Sequence, residues 1–123
     1  MIKNLEKRQE LAELYDSLLK NVPGITKPAV RENSVHARHL YPIWVDSAKR
    51  DSTIEKLIER GIGVVVNYRA IHLLTYFKNN FGFRPGQFPH AERIGDQTIS
   101  LPFYPNMPKD QVEYVVRTLK ELV

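Results

Sequence analysis

Residues 62–76 read Ile-Gly-Val-Val-Val-Asn-Tyr-Arg-Ala-Ile-His-Leu-Leu-Thr-Tyr, and this stretch decides how we expect the chain to fold. Residues 62–66 are apolar or glycine throughout, which predicts a buried strand. Four polar side chains follow the strand directly: Asn67, Tyr68, Arg69 and His72. An amide, a phenol, a planar cation and an imidazole so close together suit recognition of a polar, anionic ligand. The end of this strand is therefore the first candidate for a functional site.

The chain before this stretch predicts two helices and a strand. Apolar residues recur at spacings of three and four from Leu11 to Val22, which predicts an amphipathic helix over residues 3–21, ended by Pro23-Gly24. Residues 36–45 read as a long strand, and Pro42 favours an edge position because it has no amide hydrogen. Ser52 and Glu55 then match a capping box, so a second helix is expected to begin there and to end at Gly61.

The chain after this stretch is mainly helical. A short helix is expected over residues 71–78, another opens at Pro89, and a short strand covers residues 99–101. The last helix carries the apolar stripe Val112, Val115, Val116 and Leu119 and follows Pro108. The predicted fold class is α+β, with two layers in which a small, mostly antiparallel sheet is covered by helices on one face.

The length and composition of the chain limit the classes of function that it can have. The 123 residues fit a single domain, and 42% hydrophobic and 26% charged residues are ordinary for a globular chain. A formal net charge of +4 argues only weakly for anionic partners, because the charges are interspersed. The chain has no cysteine, which excludes disulfides, thiolate nucleophiles and cysteine-ligated zinc. It also has no apolar segment of membrane-spanning length, so we expect no membrane partner and a cytoplasmic location.

Metal and nucleic-acid binding are not expected either. His36 and His39 would lie on opposite faces of the predicted strand, with no acidic cluster to complete a metal site. Although the chain is basic and has aromatic residues, these fall at predicted core positions, and no nucleic-acid-binding signature is present.

Four segments in order resemble the motifs of one family. They are Gly61-Ile62-Gly63, Asn67-Tyr68-Arg69-Ala70-Ile71-His72, Phe88-Pro89-His90-Ala91-Glu92-Arg93 and Ser100-Leu101-Pro102-Phe103-Tyr104-Pro105-Asn106-Met107. Together they resemble the C-terminal third of the DegT-type nucleotide-sugar aminotransferases. Members of this family use pyridoxal phosphate to place an amine on a keto sugar attached to a nucleotide.

The resemblance implies that residues 1–123 form only the small domain of such an enzyme. The larger domain, which carries the cofactor and the Schiff-base lysine, has no counterpart in this sequence. We therefore expect no catalytic and no cofactor-binding residue here, no transaminase activity of the chain alone, and a missing large domain or catalytic subunit as its partner. The alternative is a free-standing module that binds or regulates through a nucleotide sugar, or the product of a split gene.

The resemblance also assigns substrate binding to Asn67, Tyr68, Arg69 and His72. Arg69 suits the diphosphate of a nucleotide sugar, and its alternative is a surface salt bridge. Tyr68 could bind a sugar, or its ring could pack against the protein with only its polar hydroxyl accessible. His72 could bind a hydroxyl or a phosphate, or it could be a helix-capping or core histidine. The family often has histidine where this chain has Asn67, and an amide cannot titrate, so a proton-transfer role there is excluded.

We finally expect the isolated chain to self-associate into dimers or larger species. Leu11, Leu14, Leu18 and Val22 of the first helix are the predicted contact, because a domain this small is not expected to bury all of them.

Overall fold

Two short antiparallel strands and five helices form the fold of the computed structural model, which describes residues 2–123. In chain order the elements are α1 (Ile2–Leu18), β1 (Tyr41–Trp44), α2 (Ser47–Glu59), a 3-10 turn (Ile71–Leu73), α3 (Thr75–Phe81), α4 (Pro89–Gln97), β2 (Thr98–Leu101) and α5 (Lys109–Lys120). The predicted α+β class with a small antiparallel sheet is confirmed. None of the helices within the described range is long and apolar enough to cross a bilayer.

The sheet pairs β1 with β2, from Tyr41 opposite Leu101 to Trp44 opposite Thr98. One single bridge lies beside each strand: Thr26 pairs with Trp44, and Val65 pairs with Ser100. All four residues of β2 are buried, because this strand has a neighbour on both sides. β2 is thus the fixed element from which the chain around residue 65 takes its position.

Two predicted strands are much shorter than expected. Residues 62–66 do not form a strand, since Val65 alone pairs with β2 and its side chain is 56% exposed, whereas Ile62 and Val64 are buried. The strand predicted from His36 begins only at Tyr41, because Arg38 has a φ of 49° and a left-handed residue interrupts an extended chain. His36 and His39 consequently do not lie on a strand.

The start of α2 also differs from the prediction. The helix begins at Ser47, and the carboxylate of Asp46 accepts a hydrogen bond from the amide of Ala48 at 2.9 Å. Ser52, the predicted cap, lies inside the helix, where its hydroxyl donates to the carbonyl of Lys49. Asp46 is an equally good capping residue and comes earlier in the chain. The predicted end is confirmed, since Gly61 follows the helix with a φ of 76°.

The first helix belongs to the core. Leu11, Ala12, Tyr15 and Leu19 are buried. The Tyr15 ring stacks on that of Tyr41 with 4.6 Å between centroids, and its hydroxyl donates to the carbonyl of Pro102 at 2.9 Å. The expectation that Leu11 lies on an exposed association surface is therefore wrong. Leu14, Leu18 and Val22 are partly buried and pack against the same core. The apolar stripe is covered within the chain because α5 and the sheet lie against it.

Candidate functional site

The loop of residues 67–70 lies between two fixed points. Before it, Val65 is held to β2 by the two hydrogen bonds it exchanges with Ser100. After it, the amide of Leu73 donates to the carbonyl of Ala70 at 3.0 Å and closes the 3-10 turn. The polar residues of the predicted site therefore sit on a short connection whose ends are positioned by the sheet and by the turn.

The structure places three of the four predicted site residues around one open cleft of about 530 Å³. Tyr68, Arg69 and His72 line it on one side. Its remaining walls are apolar and are formed by Ala70, Ile71, Phe77, Phe83, Phe88, Ala91 and Ile94. Asn67 does not line this cleft. It is half-buried, and its side-chain oxygen has no hydrogen-bond partner among the residues that the structure describes.

Tyr68 and Arg69 are the accessible polar groups of the cleft. The Tyr68 side chain is 68% exposed, so it is not a packing residue in this structure. Arg69 is exposed as well, and its guanidinium forms no hydrogen bond or ion pair with any side chain or backbone group in the described part of the chain. The surface salt bridge considered as an alternative for Arg69 is thus not formed here, and Arg69 is one of the residues that line a mainly apolar cleft.

His72 differs from its two neighbours because it is buried. Its Nε2 lies 2.9 Å from Oε1 of Glu92, and its ring makes edge contacts with Phe88 and Phe83, at 4.8 Å and 6.4 Å between centroids. An ionised carboxylate can only accept a hydrogen bond, so the Nε2 of His72 carries the proton. His72 is therefore packed inside the protein through Nε2 and its ring edges. Its other ring nitrogen, Nδ1, is the one that could form a hydrogen bond with another group.

Glu92 lies behind the cleft wall, where it contacts two of the residues that line the cleft, His72 and Phe88. Besides His72, its carboxylate accepts hydrogen bonds from the amide of Gly86, at 2.8 Å to Oε1 and 3.0 Å to Oε2, and from the amide of Phe88 at 3.3 Å. The hydrogen bond from His72, followed by those from the two amides, lowers the pKa of Glu92 below its ordinary value. The side chain is therefore an ionised acceptor that connects α4 with two other segments.

Gly95 brings α4 against the loop. A Cβ built at this position would lie 2.7 Å from the amide nitrogen of Ala70 and 3.3 Å from the carbonyl carbon and the Cα of Arg69. A side chain of any size would thus collide with backbone and not with a movable side chain. The close contact between α4 and Arg69 depends on glycine here.

Sequence reasoning did not assign a role to Glu92, Gly95, Phe83 or Phe88. A signal for Glu92 was present, because an acidic residue in the first turn after Pro89 suits a helix N-terminus, where it can accept from free amides. A glycine inside a helical pattern also indicates a close packing contact. Neither signal reveals which distant residue makes the contact.

The residues of the cleft do not by themselves fit pyridoxal phosphate, the cofactor that the resemblance implies. Neither a lysine nor a carboxylate lines the cleft in the described range, and the nearby carboxylate of Glu92 is already occupied by three donors. The same range contains no group of three histidine, cysteine or acidic residues that could hold a metal ion.

Comparison with known proteins gives the family. The sequence matches the model of the DegT/DnrJ/EryC1/StrS aminotransferase family over residues 2–120. The spore coat polysaccharide biosynthesis protein SpsC of Bacillus subtilis is 32% identical over an alignment of 123 positions that covers 96% of this chain and 32% of that protein.

Solved structures agree with this match. DesV of S. venezuelae, in complex with a ketimine intermediate, superimposes with a TM-score of 0.87 at 28% identity, over 96% of this chain and 31% of its own. Helicobacter pylori PseC, an aminotransferase involved in the biosynthesis of pseudoaminic acid, superimposes with a TM-score of 0.85 at 27% identity, over 97% of this chain and 32% of its own. The chain thus spans about a third of the length of the relatives it matches. It belongs to the DegT/DnrJ/EryC1/StrS aminotransferase family.

Proposed function

We propose that this chain is the C-terminal small domain of a pyridoxal-phosphate-dependent aminotransferase that transfers an amino group to a keto sugar carried on a nucleotide. Family membership and the names of SpsC and PseC support a sugar aminotransferase. The span of about a third of each relative supports a part that acts together with a larger one. In this proposal the chain binds and orients the substrate and has no transaminase activity alone.

The observation that carries the proposal is the exposed, unpartnered guanidinium of Arg69 at a cleft with apolar walls. A guanidinium presents a planar set of donors that fits two oxygens of a phosphate at once. A ligand that covered the aromatic and aliphatic walls beside it would exclude water, which would strengthen a charged hydrogen bond compared with one in bulk solvent. The arrangement suits a ligand with one anionic part and one less polar part, as a nucleotide sugar has.

The remaining predicted site residues receive narrower roles. The exposed phenol of Tyr68 can stack on a sugar or donate a hydrogen bond to it. Asn67 can donate and accept hydrogen bonds but cannot carry a proton between atoms. His72 already donates from Nε2 to Glu92, so any contact with the substrate would use Nδ1. All four residues orient the substrate, and none of them takes part in covalent chemistry.

The covalent chemistry is assigned to parts of the enzyme outside this cleft. When bound there, pyridoxal phosphate supplies the electron sink that the transfer of an amine requires. The lysine that holds it is proposed to lie in the larger domain or in a separate catalytic subunit. This division agrees with a cleft that offers an arginine, a phenol and apolar walls but no lysine among the described residues.

The proposal is tested by replacing Arg69 with alanine in the complete enzyme. Loss of one charged hydrogen bond costs about 1.5–3 kcal/mol, so the KM for the nucleotide sugar should rise by roughly 10-fold to 150-fold. Arg69→Lys should recover only part of this, because an ammonium cannot form the paired contact. Arg117→Ala is the matched control, since Arg117 is exposed on α5 and its removal changes the net charge equally. An unchanged KM and kcat for Arg69→Ala would remove this residue from the site.

A second candidate is a separate binding or regulatory module that keeps the same cleft. One observation favours it: buried residues from α1, both strands, α2 and α5 form one hydrophobic cluster within this chain. The sequence encoded upstream of the gene separates the two candidates. If the upstream sequence encodes a cofactor-binding domain in the same reading frame, it supports the small-domain proposal. If an unrelated gene lies upstream and ends in its own stop codon before this one begins, it supports the module.

A further inference from the structure

Two residues of α4 face the loop that carries Arg69. Glu92 and Gly95 are three positions apart, so they lie on the same side of the helix. Gly95 touches the backbone of Arg69 and Ala70, and Glu92 reaches His72 three residues further along the chain. The same face of α4 thus contacts the loop at Arg69 and Ala70 and the following 3-10 turn at His72.

The carboxylate of Glu92 joins α4 to the connection directly before it and to the 3-10 turn, which lies twenty positions away in sequence. It accepts from His72 in the 3-10 turn, from Gly86 in the connection before α4, and from Phe88 directly before that helix. Only 19% of its side chain is exposed, so water competes little for these bonds. The Glu92 side chain therefore contacts residues on two sides of the cleft: His72 on the polar side and Phe88 on the aromatic side.

Release of this carboxylate would be transmitted to the loop. The His72 side chain is 7% exposed, so its Nε2–H would be left buried without a partner. A buried donor without an acceptor is costly, and the ring would have to turn or move outward to regain one. Its packing against Phe88 opposes a simple turn. Because Leu73 of the same turn is hydrogen-bonded to Ala70, movement of His72 would displace the neighbouring Arg69.

We propose that Glu92 is a positioning residue that acts through His72 and through residues 82–88 to hold Arg69 at the cleft. Its relevance to substrate binding rests on the function proposed above, but the positioning itself does not. Glu92 has no contact with a substrate in this scheme. It fixes the direction from which Arg69 approaches an anionic group, and it holds Phe83 and Phe88 as the opposite wall.

Hydrogen exchange followed by mass spectrometry in the intact protein tests the proposal. In Glu92→Ala, peptides that cover residues 67–74 and 82–88 should exchange at least about threefold faster. The amides of Gly86 and Phe88 lose their acceptor, and the turn that protects the amides of Leu73 and Leu74 opens more often once His72 has lost its partner. Glu92→Gln should restore most of the protection, since its amide oxygen can still accept from His72 and Gly86. Asp96→Ala is the matched control, as Asp96 is an exposed carboxylate of the same helix. Exchange in α1 and α5 should not change in any variant.

The outcomes separate positioning from a local role. Faster exchange at 82–88 with unchanged exchange at 67–74 in Glu92→Ala would overturn the proposal, because Glu92 would then fasten only its own connection. If Glu92→Ala does not fold, His72→Phe makes the same test, since it keeps an aromatic ring and removes only the bond to Glu92. Faster exchange at 67–74 in that variant supports the proposal, and unchanged exchange there overturns it.

The experiments also distinguish a wrong proposed function from a wrong positioning role of Glu92. Suppose that the proposed function is wrong and the positioning role is right. In that case Arg69→Ala leaves nucleotide-sugar binding unchanged, while Glu92→Ala still loosens residues 67–74. If both ideas hold, Glu92→Ala and Arg69→Ala raise the KM in the complete enzyme, and Glu92→Gln raises it much less. This rescue by glutamine would not occur if the charge of Glu92 itself bound or repelled the substrate.

Discussion

Gly95 shows how one atom decides the position of the candidate site. A glycine in the interior of a helix costs roughly 1 kcal/mol compared with alanine, so helix propensity alone favours its replacement. Its absent Cβ, however, leaves room for the backbone of Arg69 and Ala70, the nearest atom lying 2.7 Å from where that carbon would be. Glycine at this position makes the helix less stable, but it allows α4 to pack directly against the loop.

Replacement of Gly95 by alanine tests this interpretation. The clash with backbone atoms should outweigh the gain in helix propensity and lower the free energy of unfolding by about 1–3 kcal/mol, the range seen for overpacked sites. Urea unfolding followed by circular dichroism measures this change. Gly63→Ala is the control, because a Cβ at that position meets no atom within 4 Å and the φ of Gly63 is not positive. Equal stability of Gly95→Ala and the wild type would show that the loop moves aside at no cost.

The same residues show what the sequence can and cannot predict at this scale. The sequence predicted a polar ligand site at Asn67, Tyr68 and Arg69, which remains a prediction, and the structure shows that Tyr68 and Arg69 are exposed. For His72 the sequence left a ligand-binding role and a core position open, and the partner of the buried ring, Glu92, is twenty positions away. Local spacing reports which side chains share a helix face, but not which distant element covers them.

At the scale of elements, periodic apolar patterns predicted the long helices well. α2 and α5 have the expected stripe, in α1 the buried residues begin only at Leu11, and Pro89 is the first residue of α4. The short extended segments were predicted less well. Residues 62–66 are apolar enough for a strand, yet the chain leaves β2 after one pair, and Asn33 and Arg38 interrupt the segment before β1 with positive φ values. Whether an apolar run pairs along its length is decided by tertiary contacts.

The two candidate caps of α2 give a direct test of the observed helix start. Asp46→Ala should destabilise the fold by about 1 kcal/mol, since the amide of Ala48 loses the acceptor that caps the helix. Ser52→Ala should change stability by less than about 0.5 kcal/mol, because Ser52 lies inside the helix and alanine is a better helix former. Thermal or urea unfolding of both variants measures the difference. The opposite order of stabilities would place the helix start at Ser52, as the capping-box pattern predicts.

At the scale of the whole molecule, seven of the thirteen exposed large hydrophobic residues in the described range lie between residues 65 and 88. Val65, Tyr68, Ile71, Leu74, Tyr76, Phe81 and Phe88 all have large exposed fractions, between 43% and 68%. We call this set the aromatic face. It adjoins the candidate cleft, whereas α1, which was expected to be exposed, is packed against the core. Sequence reasoning anticipated that some apolar surface would remain uncovered but placed it on the wrong element, because a helical stripe looks the same whether its partner lies inside or outside the chain.

Self-association of the 123-residue chain should therefore depend on the aromatic face. Large exposed apolar patches favour association, so sedimentation at increasing concentration should show dimers or larger species. Ile71→Glu combined with Tyr76→Glu should shift the population to monomer, because these side chains are 58% and 64% exposed and their replacement leaves the core intact. Asn4→Glu combined with Gln111→Glu is the control with the same change of charge at exposed positions of α1 and α5.

Leu11 distinguishes the two possible surfaces. It is 6% exposed, so Leu11→Glu buries a charge in the core and should unfold the chain instead of giving a folded monomer. Circular dichroism of each variant establishes whether the fold is kept before sedimentation is interpreted. A folded, monomeric Leu11→Glu variant, together with unchanged association of the Ile71 and Tyr76 double variant, would return the contact to α1. A wild-type chain that is monomeric at every concentration would instead show that the aromatic face is too divided by polar groups, such as Arg69, to bind another copy.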